Sequence, residues 1–182
     1  MTSSEKSALA PGAIAAAAKR VGTCYVGDSQ PGRARVAMVG AKFNGGITER
    51  LVVGALEAFE SHGIEAGSVA LAWVPGAFEL PLAALRFASS GEVDVVVAFG
   101  AVIRGDTPHF DFVAGQCAAG CQRVALSTGV PIIFGVLTTD DVEQAVERSG
   151  FGTQNRGYQA AVSALEMCDL LDKLPARPVQ VV

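Results

Sequence analysis

From Ala34 onward, short apolar runs alternate with longer stretches in which apolar residues recur every three or four positions. Ala34–Ala41, Ser68–Val74, Val93–Ile103 and Pro131–Leu137 have almost no polar interruption, and each reads as a buried strand. Ile47, Leu51, Val52, Ala55, Leu56 and Phe59 share a helical period, which predicts a helix over Ile47–His62 closed by Gly63. Similar patterns predict helices over Ala77–Ala88, Pro108–Leu126, Asp140–Arg148 and Gly157–Leu174, with a Gly-rich polar break over Gly150–Arg156. A strand apolar along its whole length has both faces covered, as in a parallel sheet between layers of helices. Four successive strand–helix units therefore predict an α/β fold: a three-layer α/β/α sandwich on a four-stranded parallel sheet, with right-handed crossovers.

Composition narrows this picture. At 182 residues, half of them apolar and 18% charged, the chain has the make-up of one globular domain. Residues 1–33 are rich in Ala, Ser, Gly and Pro and end at Pro31-Gly32, so they are expected to form a flexible or partly helical extension. The domain proper is expected over 34–174, with a short tail over 175–182. A net charge of −4 gives no concentrated basic face, so nucleic acid is excluded as the main partner. No apolar run reaches the roughly 18–20 residues of a membrane span. Ala13–Ala18, preceded by Glu5 and Lys6, is too weakly hydrophobic for a signal peptide. Cys24, Cys117, Cys121 and Cys168 follow neither metal nor disulfide spacing and read as small buried apolar residues, reduced as in the cytoplasm. Neither a metal nor an organic cofactor is implied.

In such folds ligands bind beyond the carboxyl ends of the strands. Four unusual segments stand there: Lys42-Phe43-Asn44-Gly45-Gly46, Val74–Pro81, Ala101–Val113 and Phe134–Thr139. In the third, Thr107 suits an N-cap and Pro108 the first helical position, so a helix should start with its free amides approached through Gly105. That makes an anion nest. His109 stands in the first turn beside it, and an imidazole exchanges protons near neutral pH. Phe43 has the location to stack on a planar heterocycle. Glu79, just after Pro75-Gly76, offers a carboxylate to a polyol or an amine. Arg148 and Arg156 bracket the break between the last two helices and carry forks able to hold a phosphate. Arg104 adjoins the nest, although strand alternation could point it elsewhere. His62, before Gly63 at a helix end, reads as structural.

Phe43-Asn44, Val-Pro-Gly-Ala-Phe-Glu-Leu-Pro (74–81), Gly-Ala-Val-Ile-Arg-Gly-Asp-Thr-Pro-His-Phe (100–110), Phe-Gly-Val-Leu-Thr-Thr (134–139) and Glu143–Arg148 together resemble the lumazine synthase family, in order, from about Arg35 to Leu174. The resemblance implies a flavodoxin-like fold and an enzyme of riboflavin biosynthesis. It would condense 5-amino-6-(D-ribitylamino)uracil with 3,4-dihydroxy-2-butanone 4-phosphate, releasing phosphate and water. By matching position, Phe43 would stack on the pyrimidine, and Ala77, Phe78 and Glu79 would meet the ribityl chain. Ala101, Val102 and Ile103 would add backbone contacts. Asp106, Thr107 and Arg148 would hold the butanone phosphate, with Gly105 and Arg156 as further candidates. His109 would move protons, and Phe134 would close the pocket from a neighbouring subunit. The family implies a homopentamer, in some members an icosahedral shell of pentamers. The chain departs from the common pattern at Lys42, Asp106, Gly152 and Arg156, which bears on phosphate affinity more than on reaction type. A non-catalytic flavin- or lumazine-binding paralogue and a structural cage are the alternative roles. Neither needs a proton shuttle.

Overall fold

The computed structural model describes residues 9–30 and 34–175. The ends of the expected extension, the Pro31-Gly32 boundary and most of the expected C-terminal tail lie outside the described residues. Four strands, β1 (Val36–Ala41), β2 (Ala70–Val74), β3 (Val95–Ile103) and β4 (Ile132–Thr139), form one parallel sheet in the order β2-β1-β3-β4. The helices are α1 (Ala13–Ala18), α2 (Gly45–Ser61), α3 (Leu80–Ala88), α4 (His109–Thr128), α5 (Val142–Arg148) and α6 (Arg156–Lys173). The α/β/α sandwich expected from the patterning is the fold observed.

The two-residue period of a strand sorts its side chains into two cores. Val36 and Met38 of β1, with Val95, Val97, Phe99 and Ala101 of β3, pack under α2 and α6. Ala37, Val39 and Ala41, with Val96, Ala98 and Val102, pack under α3 and α4. Phe59 of α2 and Phe99 of β3 are wholly buried; each such side chain contributes about 1.5–3 kcal/mol of burial free energy. Cys117, Cys121 and Cys168 belong to these cores. Burial pushes the Cys168 thiol up to about 12, so it stays protonated near neutral pH. Cys24 is exposed, contrary to the uniform reading of the cysteines as buried, because it precedes the packed part of the chain.

Several boundaries differ from expectation for physical reasons. Strand β2 is apolar yet largely exposed, since it lies at the sheet edge with β1 as its single neighbour. Ala77–Glu79 is a separate 3₁₀ turn before α3. Helix α4 starts at His109, not Pro108, and Thr107 does not cap it. Pro108 takes the cap position with φ −66° and ψ 1°, and its carbonyl accepts from the Asp111 amide at 3.1 Å. Helix α5 is capped by Asp141, whose carboxylate accepts from the Gln144 amide at 2.7 Å. Beyond the predicted domain start, the segment before β1 touches α6: the Asp28 amide donates to Asp169 at 2.6 Å, and Lys173 Nζ donates to the Val26 carbonyl at 2.9 Å. No helix among the described residues is long and apolar enough to cross a membrane.

A candidate active site in two halves

The backbone at the end of β1 decides where Phe43 stands. Lys42 and Phe43 donate to the carbonyls of Val74 and Pro75 at 2.8 and 3.0 Å, so the chain runs beside the end of β2 before turning into α2. The turn is made at Asn44, a left-handed residue with φ 56°, a conformation that Asn tolerates better than most L-residues. Asn44 Nδ2 donates to the Ala101 carbonyl at 2.8 Å and ties the ends of β1 and β3 together. Phe43 is left 72% exposed at the mouth of a cleft. A large unpacked aromatic ring beside a concave surface marks a place for a ligand.

That cleft is a cavity of about 700 Å³ at the carboxyl ends of β1, β2 and β3. It brings together most of the residues singled out from sequence: Phe43, Ala77, Phe78, Glu79, Ala101, Val102, Ile103, Gly105, Thr107 and His109 all line it. Glu79 Oε2 accepts from the Gly76 amide at 3.0 Å, which fixes the carboxylate at the rim. Its other oxygen has no hydrogen-bond partner among the described residues. His109, the first residue of α4, faces the cavity from the opposite wall. Asp106 is exposed and does not line the cavity, so its side chain stands outside the nest. Arg104 also turns away. Its guanidinium lies 4.0 Å from the centre of the Phe110 ring and bonds Asp111 and Asp140, each at 3.2 Å. Those carboxylates raise its pKa and fasten the 104–108 loop to α4 and to the end of β4. Phe112 and Val113 line the cleft as well; their apolar spacing on α4 reads as core, so periodicity could not single them out.

Three predicted residues are elsewhere. Phe134, Arg148 and Arg156 line a second recess of about 350 Å³, on the far side of β4, with Thr138 and Gln159. Arg148 Nη1 donates to the Gln144 carbonyl at 3.0 Å, and Arg156 Nη1 donates to Gln159 Oε1 at 2.6 Å. Neither forms a salt bridge among the described residues. One chain thus carries a largely apolar, aromatic-lined cleft with a histidine and, separately, a recess with two arginines and Phe134. The cleft has no arginine or lysine in its lining, and the recess has no histidine.

Sequence comparison decides between the chemistries this pairing allows. A family model described as 6,7-dimethyl-8-ribityllumazine synthase matches residues 33–172, most of the chain. This chain belongs to the 6,7-dimethyl-8-ribityllumazine synthase family. A curated 6,7-dimethyl-8-ribityllumazine synthase of Protochlamydia amoebophila (strain UWE25) is 49% identical over 150 residues, covering 82% of this chain and 87% of that protein. The matched residues 33–172 take in the linings of both the cleft and the recess.

Sequence patterning does not single out Asn155, which lines a separate recess with Gly54, Ser149 and Gly150. It lies in the Gly150–Arg156 break, is 3% exposed and makes hydrogen bonds to five backbone groups. A signal was present: Asn directly before a helical run is an N-cap pattern.

Proposed function

We propose that the protein is the transferase that makes 6,7-dimethyl-8-ribityllumazine in the cytoplasm, from 5-amino-6-(D-ribitylamino)uracil and 3,4-dihydroxy-2-butanone 4-phosphate, and that its active site is completed by a neighbouring copy. The observation that carries this reading is the composition of the 700 Å³ cleft, with Phe43, Glu79 and His109 converging on it at the carboxyl ends of the strands. Phe43 stacks on the pyrimidine, while Ala77, Phe78 and Glu79 hold the ribityl chain and Ala101, Val102 and Ile103 offer main-chain groups. The nucleophile is the amine of the pyrimidine, so no Ser, Cys or Lys is needed for attack. It adds to the ketone of the butanone phosphate, and water leaves as the imine forms. Loss of the C3 proton and of the phosphate from C4 leaves an enol that tautomerises to a C3 ketone, and the second nitrogen closes the ring on that new carbonyl with loss of a second water. His109 takes and returns the protons of these steps; holding the reactants in register supplies much of the remaining acceleration.

The phosphate requires cations, and the cleft has no arginine or lysine in its lining. Main-chain and hydroxyl groups at Gly105, Asp106 and Thr107 supply part of the anion site. Arg148 and Arg156 supply the rest, and because they line a different recess in the same chain they come from a second copy together with Phe134. A ring of copies, each offering its cleft to one neighbour and its recess to the other, closes as a cyclic homopentamer. Pentamers of this kind assemble further into an icosahedral shell.

The test is turnover. Wild-type protein mixed with both substrates should produce the fluorescent lumazine well above the uncatalysed rate. His109→Ala should lose about 10²–10⁴-fold in kcat while still binding the pyrimidine. Tight pyrimidine binding by wild type without turnover would replace the enzyme by a binding module.

A further inference from the structure

Resting on that reading, we infer that Asn155 is a positioning residue for the phosphate half of the site: its buried amide locks the α5–α6 turn so that Arg148 and Arg156 face one recess. Arg148 is the last residue of α5 and Arg156 the first of α6. The two arginines leave different helices and line one recess, so the turn between α5 and α6 sets where they stand relative to each other. Asn155 is that brace. Its Nδ2 donates to the carbonyls of Gly150, Arg50 and Ser149 at 2.5, 3.1 and 3.3 Å. Its Oδ1 accepts from the amides of Gly157 and Tyr158 at 2.6 and 3.4 Å. One side chain therefore satisfies carbonyls at the end of α5, amides at the start of α6 and a carbonyl of α2.

A cap alone would not require Asn. Serine or aspartate serves equally well as an acceptor at a helix N-terminus. The two protons of the amide are shared among the Gly150 and Ser149 carbonyls at the α5 end and the Arg50 carbonyl of α2, and no carboxylate or hydroxyl supplies both. The seat is also shaped for this side chain. Gly54 of α2 lies against it, and a Cβ there would come within 2.6–2.8 Å of the Asn155 amide atoms. Arg148 and Arg156 contribute little to the turn, since each bonds only within its own helix, while Gln159 adds one bond from Nε2 to the Thr153 carbonyl at 3.2 Å.

Two variants separate positioning from simple folding. Asn155→Ser keeps the helix cap and gives up most of the reach to the Gly150, Ser149 and Arg50 carbonyls. Gly54→Ala leaves Asn155 in place chemically and pushes on it from behind. Each is compared with wild type in KM for both substrates, in kcat, and in inhibition by inorganic phosphate competing with the butanone phosphate. The expected result is a rise of about tenfold in KM for the butanone phosphate, with KM for the pyrimidine within about twofold and kcat at saturation little changed. The inhibition constant for inorganic phosphate should rise in parallel. If Asn155→Ser does not fold, the Gly54→Ala measurement alone decides. Equal rises in both KM values, or no change in phosphate affinity in a folded variant, would overturn the inference. Absence of turnover in wild type would instead refute the proposed function.

Discussion

Gly157→Ala should destabilise the protein although alanine is the better helix former. Gly157 sits in the first turn of α6 where that helix crosses α2, and an added Cβ would lie 1.9 Å from the Leu51 carbonyl oxygen. A carbon–oxygen contact relaxes only at roughly 3.3–3.6 Å, and the offending atom is backbone, so it cannot rotate away. The start of α6 must retreat by more than about 1 Å, loosening a seam built from fully buried Leu51, Ala55, Ala58, Ala161, Ala164 and Leu165. Overpacking a core of this kind costs about 1–3 kcal/mol, more where backbone must move. The propensity gain of Gly→Ala returns at most about 1 kcal/mol. With the cost at the upper end of that range, a net loss of about 2 kcal/mol corresponds to a Tm lower by roughly 4–8 °C for a domain of this size. The assay is thermal unfolding followed by circular dichroism at one fixed protomer concentration, since assembly makes Tm concentration-dependent. An unchanged or raised Tm would refute the close crossing of α2 and α6.

The two half-sites should separate in kinetics: Arg148→Ala should raise KM for the butanone phosphate far more than for the pyrimidine, and Phe43→Ala should do the reverse. Steady-state titration of each substrate decides, and equal losses for both would contradict the assigned roles. The Arg35–Asp94 pair, with Arg35 Nη2 2.7 Å from Asp94 Oδ1, should make stability sensitive to acid. The bond from Arg35 holds the Asp94 carboxyl below its ordinary range, so its stabilisation is complete above the unfolded-state value and disappears as pH falls through the folded one. Both side chains are partly exposed, which keeps the effect small. Asp94→Asn should therefore melt slightly below wild type from about pH 5 to 7 and converge with it toward pH 3 and below; a gap that widens in acid would have the wrong sign.

Much of this was legible from residue order alone. Strands β1 and β3 are buried on both faces, so their apolar runs announce both the element and its place between helix layers. The run 70–74 is equally apolar, but no local pattern reveals that it ends the sheet. Strand order is a property of crossovers, not of the strand. The cleft residues are legible because they stand in the last residues of a strand or just past it, a position readable from sequence. That Phe134, Arg148 and Arg156 form a different recess was not readable, because chain order does not say on which side of β4 a helix packs. Asn155 escaped for another reason. A polar residue in a Gly-rich break looks solvated until its burial between two helix ends and the side of α2 is seen.

Subunit mixing shows whether one active site is made from two chains. His109→Ala and Arg148→Ala proteins are unfolded together in equal amounts, refolded into mixed assemblies and assayed at a butanone phosphate concentration far below the raised KM of Arg148→Ala, where each variant alone is nearly inactive. In a ring where each site takes its cleft from one copy and its recess from the next, about one interface in four receives both intact halves. The account predicts recovery of about a quarter of the wild-type rate. A mixture no more active than the two variants measured separately would contradict it.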